Sequence, residues 1–104
     1  LDLPEALVCA NDDIANKIWV ALKVKGIRLP GDLAISGFDN YDTGAEEPNL
    51  LTSVDYNISE LGKLAARQVI YRIHNPEASF VLVRLAANVL FRQSTERTKI
   101  KSYK

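Results

Sequence analysis

Short apolar runs alternate along this chain with longer stretches in which apolar residues recur every third or fourth position, an alternation that predicts strands joined by helices. Leu7-Val8-Cys9-Ala10 has the length and continuity of a buried strand in a parallel sheet. Asn11-Asp12-Asp13 follows, with side-chain acceptors for the free amides of a helix start and negative charge beside its dipole. Ile14, Ile18 and Leu22, with Ala15 and Trp19 beside them, then form one apolar face of a helix running to about Val24. Gly26 reads as a helix stop, Pro30-Gly31 as a turn, and Leu33 to Phe38 as a second strand ending at Asp39.

A helix of this length between two strands joins them in parallel, so both strands finish on one edge of the sheet. Asn11 lies just past the first and Asp39 just past the second, where open α/β sheets place ligands. Asn40 to Asn49 reads as a loop bordering a pocket or a subunit contact. Leu50 to Tyr56 is extended, and Asn57 with Glu60 three residues on resembles a capping box. The helix that follows reaches about Ile73. Its stripe of Ile58, Leu61, Leu64, Ala65, Val69 and Ile73 is expected against a sheet, with Lys63, Arg67 and Arg72 toward water. Asn75-Pro76 ends it, and Phe80 to Leu85 and Asn88 to Arg92 read as one or two extended pieces before a polar tail. Two helices cover such a sheet on one face at best, whereas doubly wound domains cover both, so the chain is expected to be a fragment of a larger fold.

Composition narrows the classes. In 104 residues, 47% are hydrophobic and 13 basic groups balance 13 acidic ones, which describes a chain able to fold around a core. The longest apolar runs are far short of a membrane span, and no signal-peptide pattern is visible at Leu1. A single cysteine, Cys9, and a single histidine, His74, rule out an internal disulfide framework and the common zinc arrangements. The charge is polarised, acidic before residue 50 and basic after it. Arg84, Arg92, Arg97, Lys99, Lys101 and Lys104 crowd toward the end, and with no recognition-helix pattern beside them they read as a solubilising, frayed terminus.

Asp12, Asp13, Asp39 and Asp42 raise the question of magnesium-dependent phosphoryl transfer, since carboxylates at strand ends hold that ion. No Walker-type glycine cradle and no nucleophile with a paired base accompany them, so catalysis is not expected. Asn11 and Asp39 suit recognition instead: an amide donates and accepts, and an ionised carboxylate accepts from paired hydroxyls or ring N–H groups. Equally, Asn11 fits a helix cap and Asp39 a loop cap anchoring the Asn40 backbone. Cys9 reads as a buried thiol, His74 as structural at a helix end, and Trp19 as helix-to-sheet packing. Phe38 either packs under a bound ring or seals the core, and Tyr41 and Tyr56 are rim candidates.

The ordered stretches Val8-Cys9-Ala10-Asn11-Asp12-Asp13-Ile14-Ala15, Gly26-Ile27-Arg28-Leu29-Pro30-Gly31-Asp32-Leu33-Ala34-Ile35-Ser36-Gly37-Phe38-Asp39-Asn40 and Pro48-Asn49-Leu50-Leu51-Thr52-Ser53-Val54 together resemble the C-terminal part of the effector-binding domain of LacI/GalR-family bacterial transcription regulators. The helix from Ser59-Glu60-Leu61-Gly62 fits the same resemblance. It implies an α/β fold with an open parallel sheet, the type I periplasmic-binding-protein-like sensor, present as a C-terminal fragment spanning parts of both subdomains. By the same resemblance, residues 1–52 belong to the C-terminal subdomain, 55–76 to a returning segment of the N-terminal subdomain, and 80–104 to a final crossover, strand and tail. Asn11 and Asp39 would bind a sugar or related small effector in the cleft, with Phe38 and Tyr41 at its rim. Thr43, Glu46, Glu47 and Pro48 would contribute to a homodimer contact. Glu46 and Glu47 are less apolar than the family's usual residues there, and Trp19 replaces a smaller one. The implied protein is cytoplasmic, non-catalytic and without cofactor or membrane association, and it meets operator DNA through a headpiece absent from this chain. A periplasmic or surface sugar-binding protein for transport is the alternative of the same fold.

Overall fold

A computed structural model of the chain describes residues 2–41 and 49–96. The first strand, β1, is Ala6–Val8; the first helix, α1, is Asp12–Val24; and β2 is Ala34–Ser36. β1 and β2 pair in parallel, with Ala6 opposite Ala34 and Val8 opposite Ser36, as the β-α-β pattern predicts. Cys9 N donates to Ser36 O at 2.8 Å, carrying the ladder one residue further. α1 starts where Asn11 Oδ1 accepts from Ile14 N at 2.9 Å. It stops at Gly26, whose φ of +76° suits a residue without Cβ. The Gly26 amide bonds Lys23 O and the Ile27 amide bonds Leu22 O, a Schellman closure.

The core forms where α1 lies on this sheet. Cys9, Ala15, Ile35 and Leu51 are buried together, with Leu7, Ile18, Trp19 and Leu29 packed against them. The predicted apolar face of α1 is therefore rotated slightly: Ala15, Ile18 and Trp19 face the sheet, while Ile14 is left exposed. Burial of Cys9 pushes its thiol pKa up through desolvation, which keeps it protonated.

A third segment runs beside β2. Ser36 bridges Thr52 in parallel, Gly37 N donates to Thr52 O at 2.9 Å and Asp39 N to Val54 O at 3.0 Å. That segment continues as β3, Ser53–Asp55, which pairs antiparallel with β4, Asn88–Leu90. The sheet system is thus mixed, with parallel pairing around β2 and an antiparallel ribbon leading away. A 3-10 turn at Gln93–Thr95 brings the chain back over β2. There the fully buried Ser94 donates from Oγ to Ile35 O at 2.6 Å and accepts from Thr52 N at 2.7 Å. This one hydroxyl satisfies two interior backbone groups, each of which would cost about 1–3 kcal/mol if left bare.

The second helix, α2, spans Ile58–His74 and is capped by Asn57, whose Oδ1 accepts from Glu60 N at 3.4 Å. The expectation that its stripe packs against a sheet is not met: no residue of α2 is buried, and Ile58, Leu61, Val69 and Ile73 are exposed. Arg72, expected in water, turns back instead, donating to Ala78 O and Pro76 O and lying 4.5 Å from the Phe80 ring centroid. Phe80 to Leu85, expected as part of one or two extended pieces, pairs with no described strand, and Phe80 and Leu82 are exposed. The Cα radius of gyration is 19.1 Å, against about 13 Å for a compact domain of this length. Among the described residues no helix is long and apolar enough to cross a membrane.

The Pro30-Gly31 turn is closed by a forked ion pair. Arg28 Nη2 donates to Asp32 Oδ1 at 2.8 Å, while its Nε and backbone N both donate to Oδ2. These hydrogen bonds, the side-chain ones first, lower the Asp32 pKa to about 2. A depressed carboxylate contributes its stability above the ordinary carboxylate value and loses it as pH falls through the folded value. Carboxyl-detected NMR titration should therefore place the Asp32 midpoint near 2. The Arg28→Ala variant should raise it toward the ordinary range without fully reaching it, because the backbone N–H of residue 28 still donates to Oδ2; a wild-type midpoint already in the ordinary range would contradict the pair.

Candidate functional site

Val8 and Ser36 face each other across β1 and β2, and Asn11 and Asp39 each follow by the same three residues. The two residues singled out in the sequence therefore sit at one level of one sheet edge, beyond the C-terminal ends of adjacent parallel strands. Asn11 commits its Oδ1 to capping α1, while its Nδ2 donates to nothing among the described residues. Capping thus uses only half of the amide and leaves the donor half available. Asp39 is exposed, and its carboxylate takes no hydrogen bond or ion pair among the described residues. The reading of Asp39 as a cap for the Asn40 backbone is corrected: Asn40 N donates to Ser53 Oγ at 2.9 Å.

Asp39 has φ of 109° and Asn40 φ of 54°, two successive non-glycine residues with positive φ. Asparagine tolerates the left-handed region, but aspartate at 109° lies beyond its usual limits, and such residues cost on the order of 1–3 kcal/mol. The turn is held by what surrounds it, and the centre of that framework is Asp12, only 1% exposed. Its Oδ1 accepts from Ser53 Oγ at 2.6 Å and its Oδ2 from Tyr41 N at 2.8 Å, while its own backbone N donates to Phe38 O at 3.0 Å. A buried carboxylate needs such partners, and its place in the first turn of α1 adds the favourable end of the helix dipole. Gly37 is what makes room: a Cβ there would overlap Asp12 Oδ1 and stand 3.1 Å from both Asp12 Cα and Leu51 Cδ2.

On the far side of the turn, Arg92 Nη2 donates to Asn40 Oδ1 at 2.7 Å and Asn40 Nδ2 to Asp55 Oδ2 at 3.3 Å. Arg92, one of the basic residues expected in a solubilising tail, is instead half-buried and fixed to the turn. The pairing of Ser53 with Asp12 is likewise not readable from neighbouring residues. The sequence signal for Ser53 is a polar Thr52-Ser53 step inside an otherwise apolar extended run, which implies a buried acceptor nearby.

Of the rim candidates, Phe38 stacks on Tyr56, ring centroids 5.8 Å apart and planes 21° from parallel, which gives the strand edge an aromatic wall. Tyr41 is exposed and enters the framework through its backbone amide. Thr43, Glu46, Glu47 and Pro48 lie outside the described residues, as do Asp42 and the basic residues from Arg97 onward. Asp12 cannot serve as an open carboxylate beside Asp39, because both its oxygens are engaged in the interior. Among the described residues no three His, Cys, Asp or Glu side chains gather as metal ligands. His74 closes α2, its Nδ1 donating to Ile70 O at 2.9 Å. The arrangement offers hydrogen-bonding groups at a rigid edge, a chemistry of recognition.

The periplasmic binding protein-like domain family matches residues 1–95. The ribose operon repressor of Haemophilus influenzae is 32% identical over 91 residues, covering 88% of this chain and 27% of the repressor. Among solved structures, a LacI family transcriptional regulator from Enterococcus faecium with bound ribose superposes with a TM-score of 0.83 at 30% identity, over 94% of this chain and 37% of that one. A LacI-type transcription regulator from Bifidobacterium animalis gives 0.79 at 32% identity, over 90% and 34%. The chain thus spans between a quarter and two fifths of the length of these relatives.

The contact at Asp12 predicts two stability losses, measurable by denaturant unfolding of the intact protein. Gly37→Ala forces a side chain into occupied space and should cost about 3 kcal/mol. Asp12→Asn replaces one buried acceptor by a donor and should cost about 2 kcal/mol. A loss under about 0.5 kcal/mol in either variant would contradict the packing described.

Proposed function

Because the chain belongs to the periplasmic binding protein-like domain family and aligns with the effector-binding domains of LacI/GalR-family regulators, we propose that it senses a small effector for a DNA-binding transcription regulator. The observation that carries this reading is the shared level of Asn11 and Asp39 at the sheet edge, with an amide donor and a carboxylate acceptor uncommitted among the described residues. Adjacent hydroxyls of a sugar are matched by such a pair: the carboxylate accepts from two, and the amide nitrogen donates to a third oxygen. The Phe38–Tyr56 wall provides an apolar surface for the C–H face of a ring, and Tyr41 stands at the rim. A sugar or sugar derivative is the class that fits, and the ribose named for two relatives makes a pentose the first candidate.

In this reading residues 1–52 belong to the C-terminal subdomain, 55–76 return through the N-terminal one, and 80–104 form the final crossover, strand and tail. The antiparallel β3–β4 ribbon then lies at the crossover, and the uncovered stripe of α2 packs on the rest of the N-terminal subdomain. An effector touching both sides of the cleft favours one inter-subdomain angle, and a headpiece outside this chain responds in its hold on operator DNA. Thr43 to Pro48 contribute to a homodimer contact. Acting on DNA places the protein in the cytoplasm, and the regulators among its relatives favour transcription control over transport. The role of Asn11 and Asp39 is binding, not bond making.

Calorimetric titration of the intact protein with D-ribose, alongside other pentoses, hexoses and purines, tests the proposal. One saturable ligand is expected, with affinity reduced about 10- to 100-fold by Asn11→Ala and by Asp39→Ala, the scale of a lost hydrogen bond to a desolvated partner. Binding indifferent to both substitutions, or no ligand across the panel, would overturn it.

A further inference from the structure

Arg92 stands two residues beyond β4 and joins two parts of the molecule. Its backbone and the Thr52 side chain are locked reciprocally: Arg92 N donates to Thr52 Oγ1 at 2.8 Å, and Thr52 Oγ1 donates to Arg92 O at 3.1 Å. From that anchor the guanidinium divides between two acceptors, Nη1 donating to Leu51 O at 2.9 Å and Nη2 to Asn40 Oδ1 at 2.7 Å. Asn40 is therefore gripped from both sides of its amide, the oxygen by Arg92 and the nitrogen by Asp55 at the end of β3. Asn40 is also the second residue of the positive-φ pair, so whatever fixes it fixes the backbone of Asp39 next to it.

We infer that Arg92 is a positioning residue for the effector site: through Asn40 it holds Asp39 in the turn that presents its carboxylate at the sheet edge. The inference rests on the reading of Asp39 as an effector ligand. It also gives the site a mechanical link, because Arg92 follows β4 and Asp55 ends β3, so the grip on Asn40 depends on how the ribbon sits against β2. A change of ribbon geometry moves the Asp39 turn, and an effector that fixes Asp39 biases the ribbon in return, as reciprocity of coupling requires. The planar fork of arginine serves two fixed acceptors at once; a lysine ammonium on its flexible stem does not reproduce that geometry.

The test uses the intact protein with Arg92→Lys, Asn40→Gly and the double variant. Glycine accepts positive φ freely, so Asn40→Gly removes the grip without adding strain. NMR-detected hydrogen exchange should quicken at least tenfold at the Asn40 and Tyr41 amides in Arg92→Lys, with the α1 amides of Ile18 and Trp19 unchanged. D-ribose, as probe, should bind about tenfold more weakly to each single variant, and the double variant should bind no more weakly than Asn40→Gly alone, since both act through one contact. Unchanged exchange at Asn40 and Tyr41, or exchange raised equally throughout α1, would overturn the inference. So would losses of affinity that add in the double variant. If the wild-type protein takes no ribose, the effector reading fails for that sugar while the exchange experiment still decides the role of Arg92.

Discussion

A carboxylate sealed beneath the first turn of a helix has to be met by donors, and at Asp12 that requirement organises everything around the candidate site. The donors come from two other segments, Ser53 on the strand beside β2 and the Tyr41 amide beyond the β2 turn. The close approach this demands leaves no space for a side chain at Gly37. Three stretches far apart in sequence are thereby fixed to one another within a few ångströms. The strained backbone at Asp39 and Asn40 is a consequence: with Asp12 holding Tyr41 and Ser53 holding Asn40, the chain between Phe38 and Tyr41 has little freedom left.

That arrangement separates the groups that build the site from those that are free to bind. Asp12, Ser53, Ser94 and Arg92 are engaged with partners inside the protein. Among the described residues, Asn11 keeps its amide nitrogen and Asp39 its carboxylate without a partner. A recognition site gains from such a division, because groups held in place before a ligand arrives lose less freedom on binding it. The proposed sensor function depends on this preorganisation at one edge and on the β3–β4 ribbon that joins the edge to the rest of the chain.

Much of this was legible in the sequence where the signal is local. The apolar run before Asn11, the amphipathic period of α1 and the glycine at its end each depend on neighbours a few residues away, and the β-α-β unit follows from them. The level of Asn11 with Asp39 was legible as well, because parallel strands joined by one helix must finish on the same edge. What was not legible depends on partners distant in sequence. An aspartate in the first turn of a helix reads the same whether it faces water, as Asp13 does, or is buried like Asp12. Arg92 looked like one more basic residue near a terminus, since nothing beside it in sequence reveals Asn40 as its acceptor. Phe80 to Leu85 has the composition of an extended piece, yet composition supplies no neighbouring ladder, and for the same reason the periodicity of α2 predicted its apolar stripe without showing that no described residue would bury it.

A pair of crystal structures of the intact protein, grown without sugar and with D-ribose, tests most directly whether the Asp39 turn is built before the effector arrives. The same positive-φ turn at Asp39 and Asn40 is expected in both, with the Asp39 carboxylate and the Asn11 amide nitrogen within hydrogen-bonding distance of one sugar in the second. A turn relaxed to negative φ in the sugar-free crystal, or a sugar bound away from both residues, would contradict it.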